Sequence, residues 1–304
     1  MKNYLSILLI FSIGIFLYSC QDKDDDCIYL DKRMCDPNFV LPEIAEGIVE
    51  LESPITNYDR KIFLEDYTGF RCTNCVPASV TAVNLKAANP DRLSIAGVHC
   101  TSTFAAPLTS DTTQPFHKDF RTVEGEAFVT YYNFSALPTG TINRLGSQGN
   151  KYLPYAEWTD RVNALLSENN PEVYIRIVNV EIDEEDQKIV VNVHAKPLII
   201  SDKKYLINIS VTEDEIKEAQ KDNDTPGGTI YDYVHNHVYR GSGYGPWGID
   251  VFDGAIELNT NEVLSYKLTM DIKPEWNLNN CDLLVFISNS SNREVVQIEE
   301  TPLK

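Results

Sequence analysis

The 304 residues carry 45 acidic and 26 basic side chains, a formal charge of −19, 43% hydrophobic residues and seven cysteines. That is enough chain for two domains with real cores, and fifteen Gly and fifteen Pro exclude collagen-like and low-complexity architectures. The acidic surplus excludes a protein that tracks nucleic-acid phosphates or docks on anionic lipid through basic clusters, because both need concentrated Lys and Arg.

In chain order, the first element is a signal segment. Lys2 is a short positive region, Leu5 to Tyr18 is apolar, and Leu17-Tyr18-Ser19-Cys20 closes the run. The run is shorter than the roughly 20 residues a bilayer needs but fits the apolar part of a signal peptide. The closing tetrapeptide resembles a bacterial lipobox, which implies removal of residues 1–19 and acylation of Cys20. Buried acyl chains, at about 0.8 kcal/mol per CH₂, then hold the protein to a membrane. An uncleaved anchor or an ordinary secretory signal is the alternative. Gln21-Asp22-Lys23-Asp24-Asp25-Asp26 cannot pack and should stay solvated. It also resembles the acidic export signal after the lipidated cysteine of surface-displayed Bacteroidetes lipoproteins. Residues 20–52 therefore read as an acidic tether and Cys-containing linker.

Setting Cys20 aside leaves Cys27, Cys35, Cys72, Cys75, Cys100 and Cys281. Export favours disulfides, and six cysteines allow 15 complete pairings. Cys27 and Cys35 lie close together in a segment of little hydrophobic periodicity, so a loop-closing bridge is expected there, against free thiols or metal ligation. Cys100 and Cys281 are far apart and read as small buried hydrophobes.

Residues 53–170 form an α/β pattern. Arg60 to Tyr67 reads as a strand, Thr68-Gly69-Phe70-Arg71 as a turn, and Cys72-Thr73-Asn74-Cys75 follows. Val76 to Ala88 has near-helical apolar spacing with Pro77 in its first turn, Asn89-Pro90 stops it, and Leu93 to Cys100 is a second strand. A thiolate at a helix N-terminus is stabilised by the free N–H groups, so Cys72 is expected to be the attacking sulfur and Cys75 the resolving one. A zinc ribbon needs a second Cys-x-x-Cys or a His pair of suitable spacing, which the sequence lacks, and no cofactor or metal is expected.

Asp66 precedes Cys72 at the strand end, and Leu137-Pro138-Thr139 comes before the run Gly140 to Leu145. With the Cys-x-x-Cys, these resemble the thioredoxin family over about Arg60 to Leu166. That resemblance implies a proton-relaying Asp66 and a substrate-groove Pro138. Departures are Thr-Asn inside the motif, no Trp before Cys72, and an apparent insertion from Thr101 to Val123. Trp158 to Leu166 gives the closing helix. More specifically, E-D-Y-T-G-F-R-C-T-N-C, L-P-T-G-T-I-N-R at Leu137 to Arg144 and H-N-H-V-Y-R at His235 to Arg240 are similar to the Omp-twenty-eight-related family of Bacteroidetes outer-membrane lipoproteins. That family implies a lipoprotein signal, a thioredoxin-like domain and a C-terminal β domain, in that order.

From Glu172 the pattern turns to period two, in Val173–Ile177, Ile189–Val193, Tyr205–Val211, Leu264–Ile272, Leu283–Ser288 and Val295–Ile298. Such spacing suggests an antiparallel sandwich-like domain over 171–304. His235 and His237 alternate on one strand face, as metal ligands or as strand-end histidines. Tyr239, Tyr244 and Trp247 beside glycines suggest an aromatic platform or loop anchors, and Asp111-Thr112-Thr113 resembles an O-glycosylation acceptor. The fold expected is thus α/β plus all-β. Two functions remain, and the intact Cys-x-x-Cys with Asp66 and Pro138 favours the first. In one, a membrane-tethered protein exchanges disulfides with a thiol or disulfide protein substrate through Cys72, Cys75, Asp66 and Pro138. In the other, a non-enzymatic surface lipoprotein keeps Cys72–Cys75 as a structural disulfide and binds protein or glycan through its β domain.

Overall fold

The computed structural model describes residues 47–304 apart from Asn57, Gln148 and Gly149. Cys20, Cys27, Cys35, the signal segment and the acidic tether lie outside the described residues. A short strand β1 (Gly47–Glu50) leads to β2 (Ile62–Thr68), α1 (Val76–Ala88), β3 (Leu93–His99) and a one-turn helix α2 (Ser102–Ala105). Then come α3 (Val123–Tyr132), β4 (Thr139–Ile142), β5 (Tyr152–Leu153) and α4 (Trp158–Glu168). β2 and β3 are parallel, joined by α1 as a crossover, while β4 runs antiparallel to β2 and β5 to β4. Both parallel strands are buried along their whole length, as expected of strands covered on both faces.

Local signals set the helix limits. Pro77, which has no N–H to donate, sits in the first turn of α1. The Thr122 hydroxyl accepts the Gly125 N–H at the start of α3, and Asn133 and Asn169 end α3 and α4 in the left-handed conformation.

The second part is built of strands. Long β6 (Val173–Asp183), β7 (Lys188–Pro197) and β8 (Lys204–Glu213) are followed by four two-residue strands, β9 (Ile216–Lys217), β10 (Gln220–Lys221), β11 (Thr229–Ile230) and β12 (Val234–His235). β13 (Val238–Ser242), β14 (Ile249–Asp253), β15 (Glu262–Asp271), β16 (Cys281–Asn289) and β17 (Val295–Pro302) complete it. One antiparallel sheet has the order β1-β15-β7-β6; the larger has β17-β16-β8-β13-β3-β2-β4-β5, with β14 also on β8. The architecture is mixed α/β followed by antiparallel β.

The larger sheet runs through the boundary expected near residue 170. β13 pairs in parallel with β3 where Val238 faces Gly97. The sheet also curls, so that β17 packs against β2. There the Gln297 side chain accepts the Lys61 N–H (2.8 Å) and donates to the Asp59 carbonyl (2.9 Å), and Lys61 pairs with Glu299 (2.6 Å).

Strand alternation sorts the core. On β7, Ile189, Val191, Val193 and Ala195 are buried, and they pack against Ile207, Ile209, Val211, Leu283 and Val285 from β8 and β16. Inside the curl, Phe63, Tyr67, Phe128 and Tyr132 from the first part meet Leu206, Trp247, Leu284 and Phe286 from the second. Ile62, Leu64 and Ile95 instead face Ala78, Ala82, Trp158 and Val162 of α1 and α4.

One ion pair is sealed in the curl. Arg144 Nε and Nη2 donate to Glu65 at 2.9 and 2.7 Å, and the guanidinium lies over the rings of Phe128 (4.9 Å), Phe286 (5.3 Å) and Trp247 (5.5 Å). Glu65 holds Arg144 charged against the cost of burial. Removing either partner would strand a buried charge, at a cost of about 3–5 kcal/mol.

Candidate functional site

The site begins where β2 ends. Gly69 is required there, because a Cβ would stand 2.5 Å from the Phe104 carbonyl oxygen. The Cys72 N–H donates to the Gly69 carbonyl (2.9 Å) and the Arg71 N–H to the Phe104 carbonyl (3.0 Å). Cys72 and Cys75 are joined by a disulfide, with Cα atoms 5.4 Å apart.

Helix α1 starts at Val76, with Cys75 as its cap residue. The Cys75 carbonyl accepts the Ala78 and Ser79 N–H groups, both at 3.1 Å. Cys75, rather than Cys72, is therefore the cysteine at the helix N-terminus, and Cys72 lies in the turn ahead of it. The helix begins at Val76 with Pro77 in its first turn, as its spacing predicts, and this leaves the turn before it to the cysteines.

Both cysteines are buried, Cys72 being 2% and Cys75 1% exposed. The turn that carries them is held by the β part. The Gln220 side-chain amide donates to the Cys72 carbonyl (3.0 Å), the Lys221 N–H to the Phe70 carbonyl (2.7 Å) and the Asn223 N–H to the Thr73 carbonyl (3.0 Å).

Asp66, on β2, lies behind this turn. Its Oδ2 accepts the Ser79 hydroxyl at 3.2 Å, whereas its buried Oδ1 has no hydrogen-bond partner. Burial pushes its carboxyl up to about 7, the Ser79 hydrogen bond countering only in part. The Leu137–Pro138 peptide bond is cis. The next residue, Thr139, pairs with Tyr67, so Pro138 comes level with the end of β2. Cys72, Cys75, Asp66 and Pro138 thus gather at the carboxyl end of one strand.

Other residues join them from further along the chain. A cavity of about 240 Å³ is lined by Asp66, Ser79, His99, Gln220, Tyr233 and His235 among others. The His99 and His235 rings are 5.3 Å apart. Burial lowers both, His235 to about 4 and His99 well below the ordinary imidazole value, with each other's proximity adding for His99. Ser79 was readable as a polar residue in the first turn of α1. Gln220 and Tyr233 carried no local signal, and His235 stood out only beside His237, because only the tertiary fold brings these residues to Asp66.

Other expectations are redrawn. His237 has φ 54° and separates β12 from β13, so His235 and His237 do not share a strand face. His235 turns to His99, Phe120 and Tyr233, and His237 to Asp214 at 3.4 Å. Among the described residues, no group of three His, Cys, Asp or Glu is arranged to hold a metal ion. Tyr239, Tyr244 and Trp247 are buried rather than displayed. Tyr244 accepts the Thr269 N–H (2.7 Å), and Trp247 packs on Tyr131 and Phe128. Cys100 and Cys281 are free and buried.

No curated protein sequence matches the chain. Among solved structures it is similar to HBP35 of Porphyromonas gingivalis, with 13% identity, a TM-score of 0.61, and coverage of 81% of this chain and 76% of that one. A structural-genomics protein of Agrobacterium tumefaciens matches with 11% identity and a TM-score of 0.51 over 82% of this chain and 97% of that one. At such identities the likeness is one of fold. A domain of the outer membrane lipoprotein Omp28 from Porphyromonas gingivalis shares 20% identity over 44% of this chain and 89% of its own, with a TM-score of 0.31. The model of the family described as outer membrane protein Omp28 matches residues 125–304. That match spans more than half of the 304 residues, and the chain belongs to the Omp28 family of outer membrane proteins.

Proposed function

We propose that this is a lipid-anchored outer-membrane protein that binds rather than catalyses. Its α/β part serves as a thioredoxin-like scaffold, its Cys72–Cys75 disulfide is a structural staple, and its β part binds protein or glycan. The order β3-β2-β4-β5, with α1 crossing between the parallel pair, supports the scaffold. The observation that carries the reading is the burial of both cysteines, in a turn to which Gln220, Lys221 and Asn223 are hydrogen-bonded. An exchanging disulfide must offer one sulfur to an incoming thiolate in line with the S–S bond, and this one is covered. A staple closing so short a loop contributes about 2 kcal/mol in the chain-entropy account. The double variant Cys72→Ala/Cys75→Ala should therefore lose roughly that stability in urea titration while keeping its fold and its outer-membrane location. Unchanged stability would remove the staple.

A second reading is favoured by Asp66, whose buried carboxyl near 7 suits proton transfer at neutral pH. Here the thiolate of a substrate protein exchanges with Cys72, Cys75 resolves, Asp66 carries the proton and Pro138 shapes the groove. Trapping of mixed disulfides through Cys72 in Cys75→Ser cells would favour this reading over the staple. Neither reading requires a cofactor.

A further inference from the structure

The segment that covers the disulfide differs from the rest of the β part. β8 and β16 pair over nine residues, whereas β10 pairs with β11 through two, and β12 with β9 through two. Between β10 and β11 the chain turns through Gly227 and Gly228, both with positive φ (84° and 70°) and no atom closer than 4.0 Å to an added Cβ. Asn223, Asp224, Pro226 and Gly227 are exposed there. Short ladders and few buried apolar contacts are the features of units that open below the cost of global unfolding.

The hold of this segment is concentrated on the cysteine turn. Gln220 Nε2 donates to the carbonyls of Cys72 (3.0 Å) and Gly69 (3.5 Å). The backbone N–H groups of Lys221 and Asn223 reach Phe70 (2.7 Å) and Thr73 (3.0 Å), and Asn223 Nδ2 reaches Asn74 Oδ1 (2.6 Å). Upstream, Ile216 and Ala219 pack with Phe70, Phe116 and Phe120. Glu218 anchors that end by accepting the Phe116 and Lys118 N–H groups at 2.8 and 3.1 Å. The anchor lies at one end of the segment and the exposed turn at the other, and the hydrogen bonds between them run to the turn that carries Cys72.

We propose that residues 220–230 form a latch over the Cys72–Cys75 disulfide, which hinges at the Glu218 anchor and opens locally while both sheets stay paired. The proposal rests on the closed-disulfide reading and makes the closure conditional. When the latch is open, a dithiol can reach the site. One thiolate attacks Cys72 Sγ, the S–S bond breaks, and Cys75 leaves as a thiolate that takes up a proton. The second dithiol sulfur then displaces Cys72, so the dithiol is oxidised to its cyclic disulfide and both cysteines become thiols. Opening needs loss of the Gln220 and Asn223 contacts, so these two side chains set the rate of reduction without being part of the reaction.

The test is the rate of reduction of the full mature chain by dithiothreitol, read by maleimide–polyethylene glycol gel shift. Gln220→Ala/Asn223→Ala should be reduced about tenfold faster than wild type, the effect of losing one or two net hydrogen bonds, with global stability in urea lowered by no more than that same factor. Asn223→Ala alone, which loses a rim contact, should fall between them. Variants as slow as wild type would overturn the latch. Should the double variant fail to fold, hydrogen exchange in wild type decides: the Lys221 and Asn223 amides should exchange faster than those of β8 and β16. Exchange of these amides only on global unfolding would overturn the proposal. Wild type reduced as fast as a solvent-exposed disulfide would instead defeat the closed-disulfide reading.

Discussion

Asp66 is buried, with one oxygen on the Ser79 hydroxyl and another without a hydrogen-bond partner. Its carboxyl is pushed from an ordinary 3.8 to about 7, so the folded chain holds that proton more tightly than the unfolded chain. The stability this group contributes is greatest at acid pH, falls as pH rises from about 4 through 7, and is flat above. Over the whole window the loss is on the order of 4 kcal/mol, as an upper figure. His99 and His235 act in the opposite sense. Their lowered values mean stability is lost as pH falls below the ordinary imidazole range. Asp66 is therefore isolated only by difference. Asp66→Asn should match wild type near pH 4 and exceed it by a few kcal/mol at pH 8, in urea titrations across the range. Parallel pH profiles would show that Asp66 titrates normally. Its place at a strand end ahead of the cysteines was legible in the sequence; its missing second partner was not, because Ser79 and the cavity wall come from other elements.

At the scale of elements, the strands of the second part were legible wherever alternation ran long. β7 buries every second residue, and β2 and β3 open on the apolar residues Ile62, Phe63, Leu64 and Leu93 that the sequence shows, although Glu65, Asp66, Ser94 and His99 are buried in them too. The joining of the two parts was not legible. A single facing pair, Val238 and Gly97, and a side-chain clasp at Gln297 leave no periodic trace. The ladders of β9 to β12 are likewise too short to show a period. A self-contained domain over 171–304 is what the alternation suggests, yet Leu206, Trp247, Leu284 and Phe286 pack against Phe63, Tyr67 and Phe128 of the first part. Cutting the chain between them would expose that apolar face to water. A 172–304 fragment should therefore lack a cooperative urea transition and aggregate. A sharp, reversible transition would show that the β part completes its own core.

For the whole molecule, membership of the Omp28 family places the chain at the outer membrane. No helix among the described residues is long and apolar enough to cross a membrane. The lipobox-like tetrapeptide ending at Cys20 supplies the proposed attachment. Cys20→Ala should abolish palmitate labelling and release the protein from membranes, while Ala at Asp22, Asp24, Asp25 and Asp26 should keep the label but protect the protein from external protease. Labelling that persists in Cys20→Ala would reject the anchor.

Closure of the Cys72–Cys75 disulfide by the β part links all three scales, because it depends on a buried pair, a short covering segment and a sheet shared by both parts. Thiol trapping of the purified mature protein across a glutathione redox series tests it most directly. The pair should stay oxidised and unlabelled in the native protein down to about −300 mV, the range of structural disulfides, and become reducible once urea unfolds the chain. A reversible midpoint in the native protein within the range of thioredoxins and glutaredoxins, roughly −200 to −270 mV, would contradict the closure.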